Sequence, residues 1–196
     1  AAFRKTGLKT VIVTFSVPPV SVIAGSQKQD SAKVLTTNRE KRKLFSELGI
    51  DYYVELPFNQ TMMAMSATQF VTDILLTDLK MRAIVCGKDC RFGHKGAGDA
   101  AFLKQAGQEM GFAVRIVDDV YHNGEKISSS LIRRELLQGR VENANAMLMQ
   151  PYLFYGEVVH GNRIGRTLGM PTVNLLPEEE KLIPPYGVYY SRVLHM

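Results

Sequence analysis

Short apolar runs alternate with amphipathic stretches along the first three-quarters of the chain. Residues 10–15 (TVIVTF) are continuously apolar and rich in β-branched side chains, as expected of a parallel strand buried on both faces, and Pro18 and Pro19 stop the run. Thr37 and Glu40 stand at capping-box spacing ahead of Leu44, Phe45 and Leu48, with Gly49 as a terminator, which predicts a helix. Residues 51–56 predict a second strand. Ser66 and Gln69 repeat the capping-box spacing before an inward stripe of Phe70, Ile74 and Leu75. Residues 82–87 and 113–117 predict two more strands. Between them lies a helix over 99–110 that puts Phe102, Leu103 and Ala106 on one face and ends at Gly111. Strand and helix in alternation, with short connections, predict a doubly wound α/β domain with a mostly parallel sheet.

The stretch ISSSLIRRELLQG, residues 127–139, predicts a helix capped by Ser128 or Ser129 and ended by Gly139. Residues 141–149 predict one more helix. At Pro151 the pattern changes: helical periodicity is lost, and glycines and prolines punctuate short runs at 153–160, 171–175 and 188–194. These predict strands of a small antiparallel barrel or sandwich. The boundary is expected near residues 150–152, giving domains over 1–150 and 151–196.

In doubly wound sheets ligands bind beyond the carboxyl ends of the strands. That places three candidates together: Phe15 and the residues after it, the loop 87–98, and the serines. The loop carries Gly87, Gly93, Gly96 and Gly98 among Lys88, Arg91, His94 and Lys95. It reads either as a phosphate-binding loop or as a basic surface loop. A helix start offers unpaired N–H groups and partial positive charge to an anion, and Arg133 lies one turn beyond Ser129. The other reading of ISSSLIR is a serine-capped surface helix with its arginine in solvent. Thr172 and Asn174, two apart in a strand-like segment, offer two oxygens on one side, of the kind Mg²⁺ accepts. Gly165, Arg166 and Gly169 just upstream could wrap a phosphate. A glycine-rich hairpin with an exposed polar strand face is the other reading.

The formal net charge of +5 favours anionic small molecules without requiring nucleic acid. No stretch approaches the roughly 20 apolar residues of a membrane span. Cys86 and Cys90 stand without a second pair at metal spacing, and no GxxxxGK[ST] phosphate loop is present. The expectation is a cytoplasmic chain with free thiols and no nucleic-acid or membrane partner; oligomeric state stays open.

The series Gly165-Arg166-Thr167-Leu168-Gly169-Met170-Pro171-Thr172-Val173-Asn174, followed by Pro184-x-x-Gly187-Val188-Tyr189, resembles the flavokinase signature. Upstream, Thr14-Phe15 with Pro19, Leu56-Pro57-Phe58, Gly87-x-Asp89-x-Arg91-Phe92-Gly93, Gly98-Asp99 and Ile127-Ser128-Ser129-Ser130-x-Ile132-Arg133 resemble the adenylyltransferase half of the bacterial FAD synthetase family. Its members join a riboflavin kinase to an FMN adenylyltransferase. The resemblance implies a Rossmann-like nucleotidylyltransferase domain followed by part of a small flavokinase-like antiparallel β-barrel. It implies ATP-dependent phosphorylation of riboflavin to FMN and adenylylation of FMN to FAD, with Mg²⁺ in both. By the same resemblance Ser129, Ser130 and Arg133 act on the reacting phosphates. Phe15, Gly87, Asp89, Phe92 and Ser128 border nucleotide or flavin, as do Gly165, Arg166 and Gly169 in the kinase half. Thr172 and Asn174 face the metal. Cys90 stands where the family has an aromatic, Val17 where it has a proline, and Ser130 where it has a threonine. The family's GxFDGxHxGH motif and the kinase glutamate have no counterpart in these 196 residues, so the expectation is a fragment, inactive by itself, of a longer enzyme. The alternatives are a single-activity nucleotidylyltransferase and a non-catalytic nucleotide- or flavin-binding module.

Overall fold

Two parallel strand pairs carry the first part of the chain. Strand β1 (Val11–Phe15) runs beside β2 (Tyr52–Leu56), from Val11 opposite Tyr52 to Phe15 opposite Leu56. Helix α1 (Asn38–Glu47) connects them in sequence. The computed structural model describes residues 7–17, 33–161, 167, 169–170 and 172–194. The pair is fastened at its start by Asp51, whose carboxylate accepts from Thr10 N at 2.8 Å, Thr10 Oγ1 at 2.8 Å and Lys9 Nζ at 3.0 Å. These bonds, led by the Thr10 amide, hold the Asp51 carboxyl well below the usual range.

The capping boxes form as their spacing predicts. Thr37 N donates to Glu40 Oε2 at 2.9 Å and Glu40 N to Thr37 Oγ1 at 3.4 Å. Ser66 and Gln69 exchange the same two bonds. A short helix the sequence pattern did not predict, α2 (Gln60–Ala64), is capped by Asn59. After Ser66, α3 (Ala67–Gln69) passes into π winding over Phe70–Asp78, with Leu79 N bonding five residues back to Ile74 O. This wider winding makes Val71 and Leu75 the deepest side chains, with the expected Phe70 and Ile74 only partly buried.

Strand β3 (Ala83–Gly87) and β4 (Ala113–Val117) form the second parallel pair, connected by α4 (Ala100–Met110). Asp99 caps α4 through Phe102 N, and Gly111, at φ 76°, ends it. Leu103 and Ala106 on α4 join Val71, Leu75 and Phe112 in one core. Gly107 permits this approach, because a Cβ there would meet Val114 at 2.7 Å. The described residues thus hold two two-stranded parallel ladders, each with a helix in its crossover.

By packing, the chain divides into two compact units, residues 1–29 with 44–120 and residues 30–43 with 121–196. In the second, a hairpin of β5 (Tyr121–His122) and β6 (Glu125–Lys126) turns at Asn123 and Gly124, both at positive φ. Helices α5 (Ser129–Leu137) and α6 (Val141–Leu148) follow. Leu131, Ile132 and Leu136 meet Ala144, Met147 and Leu182 in its core, with Leu35 and Tyr152 against them. Burying these faces is what groups residues 121–150 with the C-terminal stretch. Strands β7 (Gly156–Val159) and β8 (Asn174–Pro177) pair antiparallel, with Val158 opposite Leu175. The later strand is displaced from the expected 171–175. Residues 188–194, expected to be a strand, join no ladder among the described residues, and Val188 and Tyr190 are wholly exposed. No closed barrel forms among the described residues.

Two charge clusters tie this unit together. Glu40 and Lys181, each about 1% exposed, pair at 2.6 Å. Glu135 accepts from Arg140 Nε at 2.6 Å, Arg140 NH2 at 2.7 Å and Asn143 Nδ2 at 3.0 Å, fastening the α5–α6 turn. The Arg140 hydrogen bond first, then Asn143, lowers the Glu135 carboxyl from 4.5 to about 2. A depressed acid adds stability above its unfolded value and loses it as pH falls through its folded one. Glu135→Gln is therefore expected to destabilise the chain above pH 4.5 and to flatten its loss of stability between pH 4.5 and about 2. Urea midpoints across that window check this; parallel curves for the two proteins would contradict it.

Candidate functional site

The serine stretch opens α5 as its composition predicts. Ser128 is the cap, its Oγ accepting from Leu131 N at 3.2 Å, and the first helical bond runs from Ile132 N to Ser128 O at 3.0 Å. The amides of Ser129 and Ser130 precede that bond and so have no partner within the helix. Both of these serines are exposed. Ser128 and Ser130 line an open cavity of about 450 Å³ with Leu131, Arg134, Glu125 and Lys126. A helix start and two hydroxyls on one concavity suit an anion of phosphate type; Lys126 and Arg134 add positive charge, of which Glu125 offsets one unit.

The cavity's other wall is the hairpin. Glu125 accepts from Arg134 NH2 at 3.1 and 2.8 Å, one bond to each carboxylate oxygen, and this contact raises the guanidinium pKa further. The sequence reading missed Glu125, Lys126 and Arg134 as lining groups. Asn123-Gly124 was the available signal, since that dipeptide is a strong marker for a two-residue hairpin loop. Arg133 is not among the residues lining this cavity; it is partly buried and donates through NH1 to Lys33 O at 2.6 Å. That bond takes one of the five N–H donors a guanidinium carries.

In the other unit, Phe15 meets Phe58 edge-on at 4.9 Å between ring centroids. The loop after β3 is a closed turn: Phe92 and Gly98 exchange backbone bonds of 3.1 and 2.9 Å, and His94 N donates to Met65 O at 2.7 Å. Gly98 must be glycine here, because a Cβ would lie 2.5 Å from the Phe92 ring. That ring packs between Phe70 and Phe102, each with its centroid 5.8 Å away. Phe92 therefore supports the loop from within the core. Asp89 folds back over Gly87, where a Cβ would sit 3.0 Å from its Oδ1. Of the loop cations, Lys88 pairs with Asp118 at 2.7 Å and Arg91 lies 4.0 Å from Asp99. Burial first, then a hydrogen bond to Cys90, raises the Cys86 thiol to about 11, which makes it a poor nucleophile at neutral pH.

Gly165 and Arg166 lie outside the described residues. Gly169 is exposed at φ 72°. Thr172 and Asn174 are exposed, and the Asn174 amide packs against Gly161. No group of three or more His, Cys, Asp or Glu side chains converges on a metal position among the described residues.

Residues 1–131 match the family model described as FAD synthetase. The chain belongs to the FAD synthetase family. Residues 148–195 match the model described as riboflavin kinase. Relatives of the chain include the bifunctional riboflavin kinase/FMN adenylyltransferases of Buchnera aphidicola subsp. Schizaphis graminum and Escherichia coli K12. They are 37% and 34% identical over 192 residues, 97% of the chain and 60% of each relative. The Listeria monocytogenes protein of that name is 37% identical over 183 residues, 93% of the chain and 57% of the relative. The chain thus spans about three-fifths of the relatives' length. A crystal structure described as a macrolide-efflux protein from Streptococcus pneumoniae superposes with a TM-score of 0.84 at 31% identity, covering 96% of the chain and 60% of that protein. Among the described residues, no helix is long and apolar enough to cross a membrane.

The cap geometry separates two of the three successive serines. Ser128→Ala should lower stability by about 1 kcal/mol through loss of the N-cap bond. Ser130→Ala, exposed and outside that bond, should stay within about 0.5 kcal/mol. Denaturant midpoints measure both; equal losses would contradict this assignment of the cap.

Proposed function

We propose that this chain belongs to an enzyme that makes both flavin cofactors, phosphorylating riboflavin with ATP to FMN and adenylylating FMN with ATP to FAD. The observation that carries the reading is the order of the two family matches, FAD synthetase over 1–131 and riboflavin kinase over 148–195, in one chain. The second match counts against a nucleotidylyltransferase of single activity. Residues 1–150 are assigned to adenylyl transfer and residues 151–196 to part of the riboflavin kinase. The partners are ATP, riboflavin and FMN.

In adenylyl transfer a phosphate oxygen of FMN attacks the α-phosphorus of ATP, and pyrophosphate leaves. No covalent enzyme intermediate is needed. The barrier is lowered by aligning two polyanions and by donors aimed at charge that develops around phosphorus. The amides of Ser129 and Ser130 at the start of α5, the Ser130 hydroxyl and the guanidinium of Arg133 are assigned that task. Ser128 holds the helix start in place, which orients the amides. Phe15, Gly87 and Asp89 are assigned to the border of the nucleotide or flavin, and Phe92 to support of that border from below.

In the kinase part, Gly165, Arg166 and Gly169 are assigned to nucleotide phosphates, and Thr172 and Asn174 to a Mg²⁺–nucleotide. Two neutral oxygen donors fit a hard cation, and the remaining ligands would come from phosphate oxygens and water. When bound, Mg²⁺ supplies charge neutralisation across the phosphates. The chain's own groups orient the phosphoryl chain against the ribityl hydroxyl.

The test uses the full-length protein. Arg133→Ala is expected to reduce FAD formation by about 2–4 kcal/mol in kcat/KM and to leave riboflavin phosphorylation in place. Asn174→Ala is expected to raise the Mg²⁺ concentration needed for FMN formation, with FAD formation from supplied FMN nearly unchanged. Equal loss of both reactions in a folded Arg133→Ala protein, or an unaltered Mg²⁺ dependence in Asn174→Ala, would overturn the respective assignment.

A further inference from the structure

Three successive backbone carbonyls, those of Lys33, Val34 and Leu35, are claimed by two other parts of the same compact unit, the first turns of α5 and residues 181–182. Lys33 O accepts from Arg133 NH1 at 2.6 Å. Val34 O accepts from Leu182 N at 2.9 Å, and Val34 N donates back to Glu180 O at 2.6 Å. Leu35 O accepts from Lys181 Nζ at 2.7 Å. Lys181 also donates to Glu40 Oε2 at 2.6 Å and lies 4.2 Å from the centroid of the Tyr152 ring. Tyr152 in turn donates to Leu182 O at 2.9 Å.

The central pair is an expensive way to hold a fold together. Both side chains are about 1% exposed, and Glu40 Oε1 is buried with no hydrogen-bond partner. A well-packed apolar pair in such a position is often as stable or more so, and the best-attested use of a buried ion pair is to fix register. Here the register fixed is that of residues 33–35, whose first carbonyl holds Arg133.

We propose that Lys181, which lies in the stretch matching riboflavin kinase, is a positioning residue for Arg133 and so for adenylyl transfer in the other matched stretch. Through Leu35 O and Glu40 it fixes the short segment 33–35, and that segment sets where the Arg133 guanidinium is anchored. Formation of FAD then depends on a residue from the kinase-matched stretch that touches neither substrate. The proposal rests on the assignment of Arg133 to the reacting phosphates.

The experiment uses the full-length protein and compares Lys181→Met, the pair Glu40→Gln with Lys181→Met, Arg133→Ala, and the pair combined with Arg133→Ala. Lys181→Met alone leaves a buried carboxylate uncompensated and is expected to lose stability. The pair removes both charges at similar volume and is expected to recover it. FAD formation should not recover with it: kcat should stay down about tenfold with the KM for ATP within about twofold, as for an interaction made in the transition state. In the Arg133→Ala background the pair should cost less than about twofold further, because coupled residues are not additive. Recovery of FAD formation together with stability would overturn the proposal, leaving Lys181 a purely structural residue. Losses that multiply with those of Arg133→Ala would overturn it while leaving the role of Arg133 intact. Unimpaired FAD formation in Arg133→Ala would remove the assignment of Arg133 itself, and the proposal with it.

Discussion

An ammonium and a carboxylate drawn fully out of water, Lys181 and Glu40, join parts of the chain 141 residues apart. Burial lowers the lysine pKa while Glu40 pulls it upward. Burial first, and the Glu40 charge second, push the Tyr152 phenol far above its usual range. Neither charge has a way back to solvent, so the segments carrying them must keep their arrangement or leave a charge unpaired in the interior. The arrangement includes the capping box of α1, because Glu40 Oε2 accepts both Thr37 N and Lys181 Nζ. It also includes the bridge between Val34 and Lys181, and the core of Leu131, Ile132, Leu136 and Leu182 that closes beside it.

Local chemistry is what the sequence made legible. The boxes at Thr37 and Ser66, the Gly111 terminator and the serine cap of α5, narrowed by spacing to Ser128 or Ser129, each depend on residues within four positions and were readable in the sequence. Longer-range features were not. Glu40 reads as the third helical residue of a capping box, and nothing nearby announces a lysine 141 residues on. The π winding after Phe70 has no period signal distinct from an α-helix in nine residues. Strand 174–177 starts three residues later than the apolar pattern implied, because its register follows its partner Gly156–Val159.

The site was half legible for the same reason. Serines ahead of an amphipathic run mark a helix start, and Ser128 and Ser130 at that start line the cavity. Helical spacing put Arg133 one turn beyond Ser129, but a long side chain is held where its hydrogen bonds are, and the spacing gave no sign of the Lys33 carbonyl that holds NH1. Arg134, one residue on, faces the hairpin because Glu125 is there to receive it. The glycines of the 87–98 loop suggested backbone room for a ligand. Gly98 instead makes room for the Phe92 ring, so its lack of a side chain serves packing.

The proposed function requires two successive reactions in one polypeptide. Its most direct measurement is a time course of the full-length protein with riboflavin, ATP and Mg²⁺, with the flavins separated by chromatography. FMN is expected to rise first, and FAD to follow as FMN is consumed, with pyrophosphate released in proportion to FAD. Riboflavin left unchanged, or FMN accumulating without FAD in the presence of excess ATP, would contradict it.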